Sequence, residues 1–291
     1  GSVTFALDEA HVTELYGTPV PKIDDIRAAL YATLSSPVSH EPLESWVNPG
    51  DKVALIVSDM SRFWMRQDLV VPHIISYLTD KCDVNQNNIT IIIANGTHPG
   101  GDENELRTLV TDGVYDRIRV VNHDCQAKDL VYIGTTSLGT EVRINPIAAN
   151  ADKVIMLGAC TYHVMAGYGG GRKSILPGIS GLETIRQNHL HSLDLLAPRS
   201  NPLIGNGVTD GNPLNEDMCQ AAAMVKNLFG INLVTNADMQ LAHIISGDPM
   251  KAWQLACHRV DEIYRVPIVK KADVIITSCG GYPKDLNFYQ A

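Results

Sequence analysis

Lys52-Val-Ala-Leu-Ile-Val57 and Ile89-Thr-Ile-Ile-Ile-Ala94 decide the fold. Both are short, apolar without alternation, and rich in β-branched residues, the pattern of strands buried on both faces of a parallel sheet. Between them, Leu69 to Asp80 has helical spacing. Beyond them, Asp102 to Thr111 reads as a short helix opened by acidic residues, and Arg117 to Asn122 and Lys153 to Leu157 as further strands. Strand and helix in alternation imply an α/β fold with a largely parallel, Rossmann-like sheet flanked by helices. Further along, the pattern predicts helices over Gly181 to Leu196, Glu216 to Leu228 and Pro249 to Tyr264, and strands over Gly230 to Thr235 and Val274 to Thr277.

Composition bounds the function. The 291 residues are 45% hydrophobic and 19% charged, as in ordinary globular proteins. A net charge of −9 argues against a general nucleic-acid or anionic-membrane surface, so any anion must be held by locally gathered positive charge. No apolar run approaches the ~20 residues of a membrane span. The six cysteines are scattered with no C-x-x-C pair, which fits neither a zinc site nor a disulfide framework; reduced cysteines in a cytoplasmic protein are expected.

Ligands of open parallel sheets sit beyond the carboxyl ends of the strands. Three loops there are dense in reactive residues: Asp59-Met-Ser-Arg62, Asn95-Gly-Thr-His98, and Cys160-Thr-Tyr-His163 through Lys173. The third contains Ala166-Gly-Tyr-Gly-Gly-Gly-Arg-Lys-Ser174, with glycine at four of the five positions from 167 to 171. Such a loop brings backbone N–H groups close to a phosphate or carboxylate, and Arg172 and Lys173 add charge. A nucleotide-triphosphate P-loop is disfavoured, because Arg172 stands where that motif needs glycine and Pro177-Gly178 breaks the following helix. A glycine-rich structural turn is the plainer alternative. Lys173 reads either as a solvated lysine or, beside Arg172, as an amine of lowered pKa fit for covalent chemistry.

His98 and His163 lie just past buried strands and suit a general acid and base, although either alone reads equally as a loop-capping histidine. On the 181–196 helix, Leu182, Ile185, His189, Leu193 and Leu196 share a stripe of roughly 80°, which turns His189 inward and His191 to solvent. An inward histidine is either a hydrogen-bonded core residue or a metal ligand. Asp59 and Arg62 form either a surface ion pair or a carboxylate-binding site. Phe63 and Trp64 are either substrate contacts or packing. His11, His40, His73, His123, His191, His243 and His258 are read as structural.

The run Thr161-Tyr-His-Val-Met-Ala-Gly-Tyr-Gly-Gly-Gly-Arg-Lys-Ser-Ile-Leu-Pro-Gly178, continued through Asn188-His189, resembles the signature of the lactate racemase family. Asp59-x-x-Arg62, Gly96-Thr-His98, Gly211-Asn-Pro213 with Asp217, and Gly280-Gly-Tyr-Pro283 agree with it, and the resemblance spans roughly residues 50 to 291. It implies a racemase or epimerase of 2-hydroxy acids. The implied cofactor is a nickel-pincer nucleotide, the Ni(II) complex of a pyridinium-3-thioamide-5-thiocarboxylic acid mononucleotide. By resemblance Lys173 tethers the nucleotide, Gly169, Gly170, Gly171 and Arg172 bind it, and His189 ligates nickel. His98 and His163 become the acid–base pair of a reversible hydride transfer. Arg62 anchors the substrate carboxylate, Asp59 is an active-site aspartate, and Gln290 opens a substrate-contacting motif.

The family pattern continues past Tyr289-Gln-Ala291. The resemblance therefore divides the chain into a cofactor-binding domain over 1–280 and, over 281–291, the start of a truncated second domain, with weak or no activity expected of such a fragment. Implied partners are the 2-hydroxy acid and cofactor-maturation proteins. The competing readings are a non-catalytic nucleotide- or phosphate-binding module and a zinc hydrolase built on His98, His163 and His189.

Overall fold

The computed structural model describes residues 11–277. The chain divides into two compact units, residues 17–264 and a second made of both chain ends. In the second unit, residues 11–16 and 265–277 carry no regular element. The strand expected over Val274 to Thr277 is thus absent, and those apolar residues are exposed.

Within residues 17–264 the elements follow one another along the chain. α1 (Ile26–Ser35) and α2 (Leu43–Trp46) precede β1 (Val53–Ser58). Next come α3 (Val71–Asp80), β2 (Ile89–Ala94), α4 (Glu103–Val110), α5 (Asp112–Tyr115) and β3 (Arg119–Asn122). A hairpin of β4 (Val131–Thr135) and β5 (Glu141–Ile144) leads through α6 (Pro146–Ala149) to β6 (Lys153–Ala159). After β6 lie the small ribbon β7 (Tyr162–His163) and β8 (Gly167–Tyr168), helix α7 (Leu182–Leu190), and the ribbon β9 (Leu193–Asp194) and β10 (Arg199–Ser200). Helix α8 (Pro213–Ala223), β11 (Leu228–Thr235), β12 (Leu241–Gly247) and α9 (Pro249–Tyr264) complete the unit.

The main sheet has the order β12-β11-β6-β1-β2-β3, and every pairing is parallel except β11 with β12. The α/β reading of the sequence holds. Period-two geometry explains why the strands are apolar throughout: successive side chains enter opposite layers. Leu55, Val57, Ile91, Ile93, Ile155 and Leu157 enter one core with α1 and α3, while Ala54, Ile56, Ile92, Val154 and Met156 enter the other with Ile175, Ile179, Leu214 and Met218. Each fully buried side chain of this kind contributes about 1.5–3 kcal/mol.

Three predicted boundaries move. α7 stops at Leu190 instead of Leu196, because Ser192 Oγ donates to the His189 carbonyl (2.6 Å) and Leu193–Asp194 then pairs with Arg199–Ser200. Leu196 is consequently 98% exposed and leaves the expected stripe. α8 begins at Pro213, three residues earlier than expected, where proline fits the first helical turn and Asn212 Oδ1 accepts the Asn215 N–H (3.1 Å). β11 starts at Leu228, shortening α8. β12, the antiparallel edge strand, and the β4–β5 hairpin are absent from the sequence reading.

Candidate active site

Three strand ends supply the site, and the chain order reverses there: β2 and β3 lie on one side of β1, β6 and β11 on the other. This is where open parallel sheets bind ligands.

The segment after β1 is anchored by Gln67. Its buried amide exchanges hydrogen bonds with the Ser58 backbone (3.1 and 2.9 Å) and closes a 3-10 turn over Met60–Met65. That turn starts at Asp59 and carries Arg62. Asp59 is buried, whereas Arg62 is exposed, its guanidinium resting 3.3 Å from the Ser61 carbonyl. Phe63 and Trp64 pack against the main core, which favours packing over substrate contact for them.

After β2, Gly96 adopts φ +56° and its N–H donates to the Gly178 carbonyl (2.9 Å). A Cβ there would make only ordinary contact with Pro177 at 3.6 Å, so it is the left-handed backbone that favours glycine. The Gly96–Gly178 hydrogen bond joins the His98 loop to the loop carrying Lys173. His98 Nδ1–H donates to Asp59 Oδ2 (2.6 Å), and Asp59 Oδ1 accepts from Ser61 Oγ (2.6 Å). The hydrogen bond to Asp59 lifts the His98 pKa above its ordinary value, outweighing partial burial. Burial alone would raise the Asp59 carboxyl, but bonds from His98 and Ser61 and the nearby charges hold it below the usual range.

After β6 the chain turns through β7 and β8. Tyr162 and Tyr168 both donate to Asp261 Oδ1 of α9 (2.7 and 2.6 Å), which pins this ribbon. The glycine run then folds back on the strand. Gly158 is needed in β6 because a Cβ there would meet Gly170 Cα at 3.0 Å, and Gly171, at φ +49°, leaves room for Trp253. The N–H groups of Gly169 and Gly171 donate to the Thr161 carbonyl (2.8 Å) and Asn232 Oδ1 (3.0 Å).

Arg172 departs from expectation. It is fully buried, with Nε on Asn215 Oδ1 (2.9 Å), Nη2 on the Ala166 carbonyl (2.7 Å) and Nη1 on the Gly169 and Gly170 carbonyls (3.2 and 3.3 Å). Its guanidinium carbon stacks 3.8 Å from the Trp253 ring centre. The guanidinium therefore braces the loop, and neither it nor the N–H groups of Gly169 and Gly171 point outward as donors. The loop is a packed turn in which Arg172 and the Gly169 and Gly171 N–H groups are bonded within the protein, and its buried charge still acts on its neighbours.

Lys173 is half-buried, and its Nζ lies 3.0 Å from His163 Nε2. Burial, then the charges of Arg172 and Arg62, bring its pKa down to about 7. Burial and the positive charges of Lys173, Arg62, Arg172 and His189 press His163 down to about 2. His163 Nδ1 accepts the N–H groups of Met165 (3.2 Å) and Ala166 (3.1 Å).

His189 keeps its inward direction on the shortened α7, half-buried and near enough to Lys173 to be lowered by its charge, after burial. Its Nδ1 lies 3.0 Å from the Ile185 carbonyl, which can only accept, so Nδ1 carries the proton and Nε2 keeps its lone pair. That is the ligand form of imidazole. α7 itself is held by buried Asp217, which accepts from Thr136, Thr140 (2.9 Å) and Asn188 (2.8 Å). His191, expected in solvent, is half-buried, with its Nε2 unpartnered.

Among the described residues no group of three or more His, Cys, Asp or Glu is arranged to hold a metal, so the zinc-hydrolase alternative finds no ligand set among them. A nickel centre with one protein imidazole and sulfur ligands from a nucleotide needs no such group, and His189 suits it. Gln290 and Gly280 to Pro283 lie outside the described residues. Sequence reasoning missed Ser61, Gln67, Asn215, Asn232 and Trp253, which hold the site's loops. Asn232, polar within an otherwise apolar strand, was the one legible signal among them.

A half-buried amine among imidazoles, beyond the ends of a mainly parallel sheet, defines an α/β domain equipped for covalent or acid–base chemistry. Comparison with known proteins gives the family: the lactate racemase N-terminal domain model matches residues 1–199, and the chain belongs to that family. It is 32% identical over 260 residues to the lactate racemase of Thermoanaerobacterium thermosaccharolyticum and 31% identical over 260 to that of Lactiplantibacillus plantarum. Each match covers 89% of this chain and 59% of the relative, so the chain spans about three fifths of their length. The lactate racemase apoprotein structure from T. thermosaccharolyticum superposes with a TM-score of 0.83 at 29% identity, over 93% of this chain and 63% of that one. A Thermotoga maritima structure at 19% identity and TM-score 0.63, over 86% of this chain and 61% of that one, shares the fold.

Proposed function

We propose that this chain is the cofactor-carrying part of a racemase or epimerase of 2-hydroxy acids. The observation that carries the reading is Lys173: a half-buried amine drawn toward neutrality, within hydrogen-bond reach of His163. Its relatives' names supply the reaction class, and the residues suit it.

When bound, a nickel-pincer nucleotide supplies the acceptor and donor of hydride. The chain's own residues do the rest. Lys173 holds the nucleotide covalently, and His189 offers an Nε2 lone pair to nickel. Arg62, exposed at the rim, meets the substrate carboxylate with a guanidinium able to bind it bidentately. His98, its Nδ1–H fixed on Asp59, has the Nε2 lone pair that takes the hydroxyl proton. His163 is its counterpart for the opposite face, so that both stereoisomers find a proton acceptor and donor. Gln290 is assigned to substrate by resemblance.

The alternative of a simple phosphate-binding module draws less support, because the N–H groups of Gly169 and Gly171 and the Arg172 guanidinium are already bonded within the protein. The test is to load the chain with the nucleotide, then measure intact mass, nickel content and the racemisation of a panel of 2-hydroxy acids. A covalent adduct on Lys173 with about one nickel per chain is expected. A chain that binds the nucleotide only reversibly, and retains no nickel, sinks the reading.

A further inference from the structure

His163 makes three hydrogen-bond contacts, and together they fix where its proton sits. Nδ1 accepts two backbone N–H groups, from Met165 and Ala166. A ring nitrogen accepting two N–H groups has no room for a hydrogen of its own, so the single proton of the neutral imidazole lies on Nε2. Nε2–H then faces Lys173 Nζ at 3.0 Å. An ammonium has three donors and no acceptor, so two donors would collide there. Only the uncharged amine, with its lone pair, completes the contact.

Resting on the reading of Lys173 as the tether, we propose that His163 is a positioning residue for cofactor attachment: fixed as the Nε2–H tautomer by the Met165 and Ala166 amides, it holds the unloaded Lys173 amine as the free base. The surroundings agree. The groups facing or influencing the amine are His163, Arg172, Arg62, His189 and His98, while the nearby Asp59 carboxylate is occupied by His98 and Ser61. Burial and the charges of Arg172 and Arg62 favour the form without charge.

In attachment, the amine nitrogen attacks the carbonyl or thiocarbonyl carbon of an activated acyl group. The C–N bond forms, the bond to the leaving group breaks, and the leaving group departs with the proton that nitrogen sheds. The product is an amide or thioamide, whose nitrogen lone pair is delocalised and no longer accepts Nε2–H. Attachment therefore releases His163 from Lys173, and the ring becomes free for a substrate. To accept a substrate proton as well, the ring must then give up the Met165 and Ala166 amides and move its own proton to Nδ1.

Two measurements on the purified, unloaded chain test this. Nitrogen-15 NMR of labelled histidine reads the tautomer directly, with His163→Gln identifying the signal; a proton on Nε2 near pH 7 is expected. Acetic anhydride labelling, followed by peptide mass spectrometry across pH, reads the amine; acetylation forms the N–C bond and expels acetate with the amine's proton. The Lys173 rate is expected to level off just above neutral pH. His163→Leu should cut the free-amine fraction of Lys173 near neutral pH by roughly 3- to 10-fold, the worth of one lost hydrogen bond. His163→Gln, whose amide also donates, should restore it. A proton on Nδ1, a cationic ring near pH 7, or a Lys173 profile unchanged in His163→Leu overturns the proposal. Should His163→Leu fail to fold, the wild-type tautomer decides alone. Failure here leaves adduct and nickel on Lys173 standing, whereas an absent adduct with the Nε2–H tautomer present overturns the racemase reading and the attachment role with it, and leaves only the free-base contact of Lys173 with His163.

Discussion

Asp59 Oδ2 and His98 Nδ1 lie 2.6 Å apart, joining the ends of two adjacent parallel strands across 39 residues of sequence. The contact moves both groups toward their charged forms. It also orients the ring, leaving Nε2 as the proton acceptor.

Asp59→Asn is expected to lower the His98 pKa and to reduce turnover of the loaded protein by about 100-fold, the lower end of general acid–base contributions. The sign of the stability effect follows by linkage. The depressed Asp59 stabilises above its unfolded pKa near ~3.9, and loses this as pH falls through its folded value. The raised His98 stabilises below its unfolded pKa near ~6.5, and loses this as pH rises through its folded value. Urea unfolding should therefore separate wild type from Asp59→Asn more near pH ~5.5 than near pH ~8.5. With the His98 side chain 53% exposed, solvent screening keeps the difference under about 1 kcal/mol.

Lys173→Met removes the proposed tether, so intact mass should show no adduct and metal analysis no nickel after loading. The unloaded variant carries a second signature. With a folded pKa of about 7, the wild-type amine is neutral where the unfolded chain is still protonated, up to about pH 10.4. The unfolded state binds the extra proton across that interval, so stability should rise with pH there. Lys173→Met should flatten the rise, measured as the slope of urea midpoints.

His189→Ala separates tether from metal. Lys173 should still form its adduct, because α7 stays anchored through Asn188 to Asp217 (2.8 Å). Nickel affinity should fall by at least 10–100-fold, the scale seen even for lost outer-shell partners. Competition with a chromogenic chelator measures it; unchanged affinity would remove His189 from the metal.

Gly171→Ala forces a Cβ to 2.8 Å from the Trp253 ring at a residue with φ +49°. About 1–3 kcal/mol of destabilisation is expected from the overpacking. Arg172→Met removes the guanidinium's hydrogen bonds to Asn215 Oδ1 and to the Ala166, Gly169 and Gly170 carbonyls, with an expected loss of about 1.5–3 kcal/mol. Chemical denaturation checks both, and an anion-binding role for Arg172 would instead show as weakened cofactor binding at undiminished stability.

The sequence by itself determined the sheet and the list of reactive side chains. Runs such as Val53–Ser58 and Ile89–Ala94 are apolar on both faces because two cores use alternate residues, and this is legible locally. Parallel order then sends Asp59, His98, His163 and Lys173 to one edge. Tertiary structure alone decided what each group could do. Arg172 looks from its neighbours like an anion ligand, yet Asn215 on α8 and Trp253 on α9 turn it inward. The Leu193–Asp194 ribbon, paired with Arg199–Ser200, cut short a helix whose periodicity promised six more residues. Protonation was the least legible property. It depends on desolvation and on donors fixed within a few ångströms, such as the Met165 and Ala166 amides on His163, and such contacts exist only once distant segments have packed.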